Sequence, residues 1–295
     1  MPTARVGDVE LYYEDHGRGD PLLCIMGLAA DSTAWLLQVP AFAERYRTIT
    51  FDNRGAGRSS IPQGPYQMKQ FAEDTLRLLD HLGLERIFVL GLSMGGMIAQ
   101  ELALMAPDRI RAMVLGCTHY GGPSRIPPAP AAMEILLNNA GLTQKEIIEK
   151  NVPIFFSEAC RREQPEVIAA YCAAQLSAPE QPEYAFHAQL AAIGSFDCSD
   201  RLGHLALPIM IVTGSEDILI PPENSKALAK RLPHAEIVVI PGAGHALHAE
   251  CRDKLNYLAD EFFRRHLTRG FREENQSLSQ TIVFPGPNRS GHSPA

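Results

Sequence analysis

The sequence lacks the features that mark several large classes of protein. Its first seventeen residues contain no apolar segment typical of a secretory signal, and no apolar run is long enough to span a bilayer. Acidic residues outnumber basic ones by 34 to 27, so the net charge of −7 offers no basic surplus for nucleic acid or anionic lipid. We therefore expect a cytoplasmic protein that binds neither nucleic acid nor membrane.

Patterns that bind metals or form dense disulfide networks are missing as well. The six cysteines include no CxxC pair, and no HExxH or Cys/His cluster has the spacing of a zinc site. The chain is long and its cysteines are scattered, which favours free thiols over a disulfide framework. These absences predict that the protein uses no metal, and nothing in the sequence calls for a cofactor.

What the sequence does contain is an alternation of short apolar runs with amphipathic stretches. The first segment, Val6 to Tyr13, is typical of a hairpin that turns at Gly7-Asp8. Six later runs are short, apolar and often β-branched, as in strands buried on both faces of a parallel sheet. These strand candidates are Leu22–Met26, Tyr46–Phe51, Arg86–Leu92, Ile110–Gly116, Ile209–Thr213 and Glu236–Ile240.

Helical periodicity fills most of the gaps between these strands, which predicts a doubly wound, mostly parallel sheet. The helix candidates of this core are Met68–Leu82, Met94–Met105, Glu223–Leu232 and Leu247–His266. Residues 120–207 break the alternation, because they contain helical runs and many prolines but no convincing strand. We expect a core of residues 1–119 and 208–267, a helical cap of residues 120–207, and a disordered polar tail of residues 268–295.

A nucleophile motif follows one of the predicted strands. Gly91-Leu92-Ser93-Met94-Gly95 lies between the apolar run that ends at Leu90 and the helix that follows. In a strand–turn–helix context, G-x-S-x-G exposes a serine on a sharp turn at the edge of the sheet. The alternative is that Ser93 only caps the helix. A serine here disfavours dehalogenase or epoxide hydrolase chemistry, which needs a carboxylate nucleophile.

A base and an acid follow two later strands in the order that such a fold requires. His245 comes after Glu236–Ile240 in a glycine-rich turn, where its imidazole can activate a hydroxyl. Asp217 comes after Ile209–Thr213 and can orient that imidazole, although a turn role is the simpler alternative. Because catalytic residues gather at the carboxyl ends of parallel strands, Ser93, Asp217 and His245 are the predicted catalytic triad.

Acyl transfer also needs hydrogen-bond donors for the oxyanion that forms on the substrate. The backbone N–H of Met94, directly after the nucleophile, is one candidate. The second donor should come from the loop after Leu22–Met26, and Leu28 N–H is the predicted group.

From about Val6 to His266, the sequence resembles the α/β-hydrolase superfamily. The resemblance rests on five segments: IMGLAADSTAW, FDNRGAGRSS, GLSMGG, TGSEDILIPP and GAGHALHAE. They are similar to small esterases, 3-oxoadipate enol-lactone hydrolases and cofactor-free haloperoxidases, which share one triad. The resemblance implies an eight-stranded sheet with a cap inserted after the sixth strand. Met26 departs from the histidine that many relatives have before the oxyanion glycine.

The sequence therefore predicts a serine hydrolase that cleaves a small, largely apolar ester or lactone through an acyl-enzyme. His119, Tyr120, Phe155 and Phe156 are candidates for the substrate pocket. Enol-lactone hydrolysis, C–C bond hydrolysis and a perhydrolase side activity remain alternatives within the same site. A ligand-sensing binding protein is an alternative from another class. The sequence leaves open whether the chain forms a homo-oligomer.

Overall fold

A computed structural model of the chain describes residues 2–232 and 234–267. Eight strands run through it: β1 (Thr3–Val6), β2 (Val9–His16), β3 (Asp20–Ile25), β4 (Tyr46–Phe51), β5 (Ile87–Leu92), β6 (Ile110–Gly116), β7 (Ile209–Gly214) and β8 (Ala235–Ile240). They form one sheet in the order β1-β2-β4-β3-β5-β6-β7-β8. The predicted tail, residues 268–295, lies outside the described residues.

Most of this sheet is parallel. Only the pairs β1·β2 and β2·β4 are antiparallel, and the other five neighbouring pairs run in the same direction. The N-terminal hairpin is confirmed, with Val6 paired to Val9 across the Gly7-Asp8 turn, but its second strand extends to His16. The predicted eight-stranded, mostly parallel sheet is therefore confirmed.

Helices cover both faces of the sheet. They are α1 (Val39–Ala43), α2 (Met68–His81), α3 (Met94–Met105), α4 (Pro130–Leu137), α5 (Gln144–Phe155), α6 (Glu158–Glu163), α7 (Pro165–Ser177), α8 (Glu183–Ser195), α9 (Pro222–Arg231), α10 (Leu247–Glu250) and α11 (Arg252–Arg265). No helix among the described residues is both long and apolar enough to cross a membrane.

Side chains of successive strand residues point to opposite faces, which divides the core into two layers. In β5, Val89 packs in the layer that contains residues of α2, α3 and α9. Its neighbours Phe88 and Leu90 pack in the opposite layer, with residues of α1 and α11. Burial on both faces explains why these strands are continuous apolar runs and do not alternate with polar residues.

Two helical predictions need correction. The predicted helix from Leu247 to His266 is two helices, α10 and α11, because Cys251 adopts φ −124° and ψ 34°, outside the helical range. The start of α10 is bonded to the end of α5, since Ala246 N–H donates to Phe155 O at 2.8 Å. By contrast, α11 packs on the sheet. The six-residue α6 was not predicted, because it is too short to show a helical period.

Five helices, α4 to α8, lie between β6 and β7, the region predicted as the cap. The capping box of Thr143 and Glu146 begins α5. Two small apolar clusters join this segment to the core: one includes Leu136 and Leu219, the other Phe156 and Ala249. The division into two domains stays a prediction. All six cysteines are free.

Candidate active site

Ser93 occupies a sharp turn between β5 and α3. Its backbone has φ 56° and ψ −122°, a strained conformation for a residue with a side chain. Ser93 N–H donates to Gly116 O at 2.9 Å, and Thr118 Oγ1 donates to Ser93 O at 2.8 Å. A Cβ on Gly91 would lie 2.6 Å from Gly95 O, so the tight turn requires glycine there. The surrounding structure thus holds the strained residue in place.

The loop after β3 packs directly against this serine. A Cβ placed on Gly27 would lie 2.9 Å from Ser93 Cβ and 3.2 Å from Ser93 Oγ. Asn53 Nδ2 donates to Met26 O at 3.0 Å and anchors the start of the loop from the neighbouring strand β4. The absence of a side chain at Gly27 therefore leaves the space in which an atom can approach the hydroxyl.

Asp217 follows β7 and His245 follows the adjacent strand β8, and their side chains meet. His245 Nδ1 is 2.8 Å from Asp217 Oδ2, and both side chains are buried. Asp217 Oδ1 accepts from the N–H groups of Leu219 at 3.0 Å and Ile220 at 2.8 Å. Because a carboxylate only accepts hydrogen bonds, the proton between the two residues sits on Nδ1, which leaves Nε2 as a base.

Ser93 and His245 line the same cavity, which has a volume of about 600 Å³. Among the described residues, the Ser93 hydroxyl forms no hydrogen bond with the His245 ring. Catalytic hydrogen bonds of this kind often form or shorten only when substrate is bound. A proton transfer between them therefore needs the two groups to approach more closely on binding.

Comparisons with known proteins agree with this fold. A family model described as the alpha/beta hydrolase fold matches residues 20–153. A RutD protein of Azorhizobium caulinodans, provisionally named a carbamate hydrolase, is 31% identical over 87% of this chain and 96% of its own length. The chain belongs to the α/β-hydrolase fold family.

Other relatives of this α/β hydrolase carry further names. The 3-oxoadipate enol-lactonase 2 of Acinetobacter baylyi is 27% identical over 89% of this chain and 96% of its own. A solved esterase from Thermogutta terrifontis is 33% identical, with a TM-score of 0.76 over 90% of this chain and 97% of its own. Together they support a hydrolase activity on a small molecule.

The backbone amides near Ser93 differ in whether they already have a partner. In the loop after β3, Ala29 N–H donates to Gln189 Oε1 at 3.0 Å and Ala30 N–H donates to Gly27 O at 3.4 Å. Among the described residues, nothing accepts from the N–H groups of Leu28 or Met94. Both predicted oxyanion donors therefore lack a partner among the described residues, and their role stays a prediction.

Gln189 holds this loop from the other side of the cavity. Its side chain is fully buried on α8, and besides accepting from Ala29 it donates through Nε2 to Arg54 O at 2.9 Å. Ala29 has φ 61°, so the hydrogen bond fixes a residue in a strained conformation next to Leu28. Sequence reasoning missed Gln189, because a single glutamine in a helix gives no signal of a partner 160 residues away.

Cys117 lies close to both His245 and Asp217. The potential metal-ligating atoms of these three residues lie within 4.8 Å of one another, the one such group among the described residues. A metal bound there would have to displace the hydrogen bond between His245 Nδ1 and Asp217 Oδ2. Burial, and then the charge of Asp217, hold the pKa of the Cys117 thiol well above its ordinary value. The thiol is thus protonated beside the carboxylate.

Two of the four predicted pocket residues line the cavity and two do not. His119 and Phe155 line it, and the Phe155 ring is 5.8 Å from the His245 ring. The prediction needs correction for Tyr120 and Phe156, whose side chains are buried elsewhere. Phe156 is in extended backbone directly after α5, and its ring lies 5.0 Å from that of Tyr171.

Tyr120 is buried outside the cavity. Its ring lies under the Arg231 guanidinium, 4.1 Å from the ring centre, and its hydroxyl is 3.3 Å from Ser124 Oγ. His248, by contrast, does line the cavity although it was not selected as a pocket residue. Burial lowers its pKa to about 4, and the neighbouring His245 adds to that effect, so the ring is neutral.

Proposed function

We propose that this α/β hydrolase is a serine hydrolase that cleaves a carboxylic ester or lactone of a small, largely apolar substrate through an acyl-enzyme. One observation carries the proposal. The hydroxyl of a serine in a strained strand–helix turn opens into the same cavity as a histidine whose Nδ1 is committed to a buried carboxylate. That arrangement leaves Nε2 of His245 as the base.

In the first half-reaction, His245 Nε2 takes the hydroxyl proton as Ser93 Oγ attacks the substrate carbonyl carbon. The negative charge that develops on the carbonyl oxygen is stabilised by the N–H groups of Leu28 and Met94. Asp217 fixes the tautomer of the imidazole and stabilises the imidazolium that forms. The carbonyl then re-forms, the C–O bond to the alcohol breaks, and the leaving oxygen takes the proton from Nε2.

In the second half-reaction, water replaces the alcohol. His245 Nε2 takes a proton from water as its oxygen attacks the acyl carbon, and the same two amides stabilise the second oxyanion. Collapse of this intermediate breaks the bond to Ser93 Oγ, which recovers its proton from the imidazolium and releases the acid. The enzyme returns to its starting state, so the cycle requires no cofactor.

The character of the cavity supports a small and mainly apolar substrate. Its walls include aliphatic and aromatic side chains from the segment between β6 and β7, among them Met133, Leu136, Ile147 and Phe186. A volume of about 600 Å³ accommodates a small organic molecule but not a polymer chain. The names of the esterase and enol-lactonase relatives support an ester or lactone in the same way.

The test is hydrolysis of p-nitrophenyl acetate and butyrate by the wild type and Ser93→Ala. Because loss of the nucleophile removes the whole covalent route, kcat should fall by at least about 10⁴-fold. The control is Ser177→Ala, which removes an exposed hydroxyl that bonds only to its own helix. A fluorophosphonate should label Ser93 in the wild type and nothing in Ser93→Ala.

Two results would contradict the proposal. Turnover that survives in Ser93→Ala would remove Ser93 as the nucleophile. Tight binding of esters without turnover by the wild type would indicate a ligand sensor. Carbamates belong in the substrate panel, because the relative from Azorhizobium caulinodans is named for them and the same steps apply to a carbamate carbonyl.

A further inference from the structure

One cation lines the cavity without a carboxylate to neutralise it. Arg125 is half-buried on the cavity wall, and it forms no ion pair with any described residue. Its one side-chain hydrogen bond runs from Nη1 to Gly194 O at 3.3 Å. No other lysine or arginine among the described residues lines this cavity. A guanidinium has five N–H donors, so most of those of Arg125 remain available to a ligand.

His119 is a second donor on the same wall, and its protonated nitrogen follows from its contacts. The Gly121 N–H donates to His119 Nδ1 at 3.0 Å, so this nitrogen carries no proton. The neutral ring therefore bears its proton on Nε2, which forms no hydrogen bond with a described residue. His119 is a donor, not a base, toward the cavity.

The surroundings of His119 hold both its backbone and its ring. Gln100 Nε2 donates to His119 O at 3.0 Å, and the imidazole stacks on the Phe196 ring with centroids 6.3 Å apart. Burial, and then the positive charge of Arg125, lower the pKa of His119 to about 4, so the ring is neutral near pH 7. Both residues also contact the C-terminal end of α8, Arg125 through Gly194 O and His119 through the Phe196 ring, which places the two donors on the same side of the cavity.

The acidic residues of the cavity lie in more exposed positions. Glu180 and Glu183 are both exposed, and Glu183 is 3.6 Å from His187. The other titratable lining groups include His245, which belongs to the proposed triad, and the neutral His248. Solvent screens the two exposed carboxylates, whereas Arg125 and His119 lie partly or fully out of water. An anion in the cavity would therefore be attracted to the wall of Arg125 and His119.

We propose that Arg125 and His119 form a subsite for a carboxylate group of the substrate, separate from the scissile carbonyl. The substrate class is then an ester or lactone that also carries a free carboxylate, such as a half-ester of a dicarboxylic acid. This inference rests on the proposed hydrolase function. The guanidinium supplies charge-assisted hydrogen bonds to the carboxylate, and the His119 Nε2–H supplies a directed neutral one.

The experiment compares two matched esters of p-nitrophenol. One is the glutaric acid half-ester, which keeps a free carboxylate, and the other is the same compound with that carboxylate methylated. The wild type should prefer the anionic ester by about 10-fold or more in kcat/KM, since one hydrogen bond to a charged group contributes that much. A second pair, 4-acetoxybenzoate and its methyl ester, carries the carboxylate on the alcohol side.

Substitutions assign the preference to the subsite. Arg125→Gln should abolish it mainly through KM for the anionic ester, with a much smaller change in kcat/KM for the neutral ester. Arg125→Lys should keep part of the preference, because the charge remains but the planar fork is lost. His119→Gln should reduce it less than Arg125→Gln does. The matched control is Arg162→Gln, an exposed arginine on α6 that lies outside the cavity.

The possible outcomes distinguish a failure of the carboxylate subsite from a failure of the proposed hydrolase function. Equal kcat/KM for the anionic and neutral member of both pairs would overturn the carboxylate subsite while the hydrolase proposal stands. A preference that persists unchanged in Arg125→Gln would overturn the assignment to Arg125. Failure of the wild type to hydrolyse the neutral esters, together with failure of fluorophosphonate labelling, would instead contradict the hydrolase proposal.

Discussion

The strand ends of the core and the helices between β6 and β7 contribute differently to the same cavity. Every residue of β5 and β7 is buried, and the residues that follow these strands are held by backbone hydrogen bonds. In the inserted segment, α7 has no buried residue and α5 has only Ile154. One region is fully packed, whereas the other leaves much of its apolar surface facing a cavity.

This difference suggests how the two regions divide the work. The reacting groups need fixed positions, because a misplacement of about 1 Å can cost roughly 100-fold in rate. A fully packed sheet provides that, since its interior resists deformation. The wall that contacts the rest of the substrate has to match its shape, and a thinner layer of helices changes with less effect on the core. We expect reaction type to follow the core and selectivity to follow the inserted helices.

Several polar contacts join the two regions, and one lies beside the proposed oxyanion site. Gln189 bonds the loop residue Ala29, while Glu250 accepts from Ser157 N–H at 3.1 Å and from Gly244 N–H at 3.1 Å. These contacts mean that the two regions do not act independently, because the inserted helix α8 holds the loop that carries a proposed oxyanion donor. The predictions below test how far reaction and selectivity are divided between the two regions.

The largest effect is expected within the core, at Gly27. In Gly27→Ala the added Cβ would crowd Ser93 Cβ at 2.9 Å and Oγ at 3.2 Å, so the nucleophile or the loop must shift. The kcat/KM for p-nitrophenyl acetate should fall by about 100-fold, and the rate of fluorophosphonate labelling should fall with it.

Gly203→Ala is the matched control for this substitution. A Cβ there would meet no atom within 4 Å, and the position does not have a positive φ. Its kinetics should remain at the wild-type level. Wild-type activity in Gly27→Ala would show that Ser93 still reacts with a methyl group beside it. The core would then not need the rigidity that we infer for it.

A smaller effect is expected at Gln189, where the regions meet. Gln189→Leu leaves Ala29 N–H and Arg54 O without partners, so the free energy of unfolding should fall by about 1–3 kcal/mol. If Gln189 positions the loop for the oxyanion, kcat should also fall, by about 10-fold, with KM little changed.

The assay for Gln189→Leu is run well below its melting temperature, with Gln67→Leu as control. Gln67 is exposed at the start of α2, and its side chain makes no capping hydrogen bond. A loss of stability with an unchanged kcat would mean that Gln189 is only structural. The inserted helices would then act on selectivity alone, which sharpens the division between the regions.

The last prediction concerns the pH dependence of stability at His119, with no effect on catalysis at pH 7 required. Its pKa is lowered from 6.5 to about 4, so the folded state disfavours the protonated ring. The stability that depends on the neutral ring is complete above pH 6.5 and is lost as the pH falls toward 4, because the unfolded chain binds the proton first. The loss should reach at most roughly 3 kcal/mol.

Urea unfolding of the wild type and His119→Gln at pH 7, 5.5 and 4.5 measures this contribution. The wild type should lose stability more steeply than His119→Gln over that range. His204→Gln, which removes an exposed histidine, should follow the wild type. Parallel curves for wild type and His119→Gln would show that His119 is not a neutral buried donor, which would also weaken the proposed carboxylate subsite.

Much of the core could be predicted from its residues. Apolar runs identified six strands of the sheet. In β5 and β7, burial on both faces leaves no polar alternation. The positions of Ser93, Asp217 and His245 followed from chain order, because the carboxyl ends of parallel strands meet at one edge. Their catalytic roles, like those of Leu28 and Met94, stay proposals that the experiments above address.

The inserted segment was harder to predict in detail. Helical periodicity found most of its helices but could not say which face of each lines the cavity. His119 and Phe155 line it, while their neighbours Tyr120 and Phe156 pack outside it, on Arg231 and Tyr171. Nothing local in the sequence distinguishes the two members of either pair.

The sequence by itself determined the class of fold and the order of the chemically reactive residues, because backbone geometry and burial impose periods of 2 and 3.6 residues that can be read locally. Only the tertiary structure decided which groups are left without partners. The contact of Gln189 with Ala29 and the unpaired charge of Arg125 depend on segments far apart in the chain. Such contacts arise from packing, and packing depends on every neighbour at once.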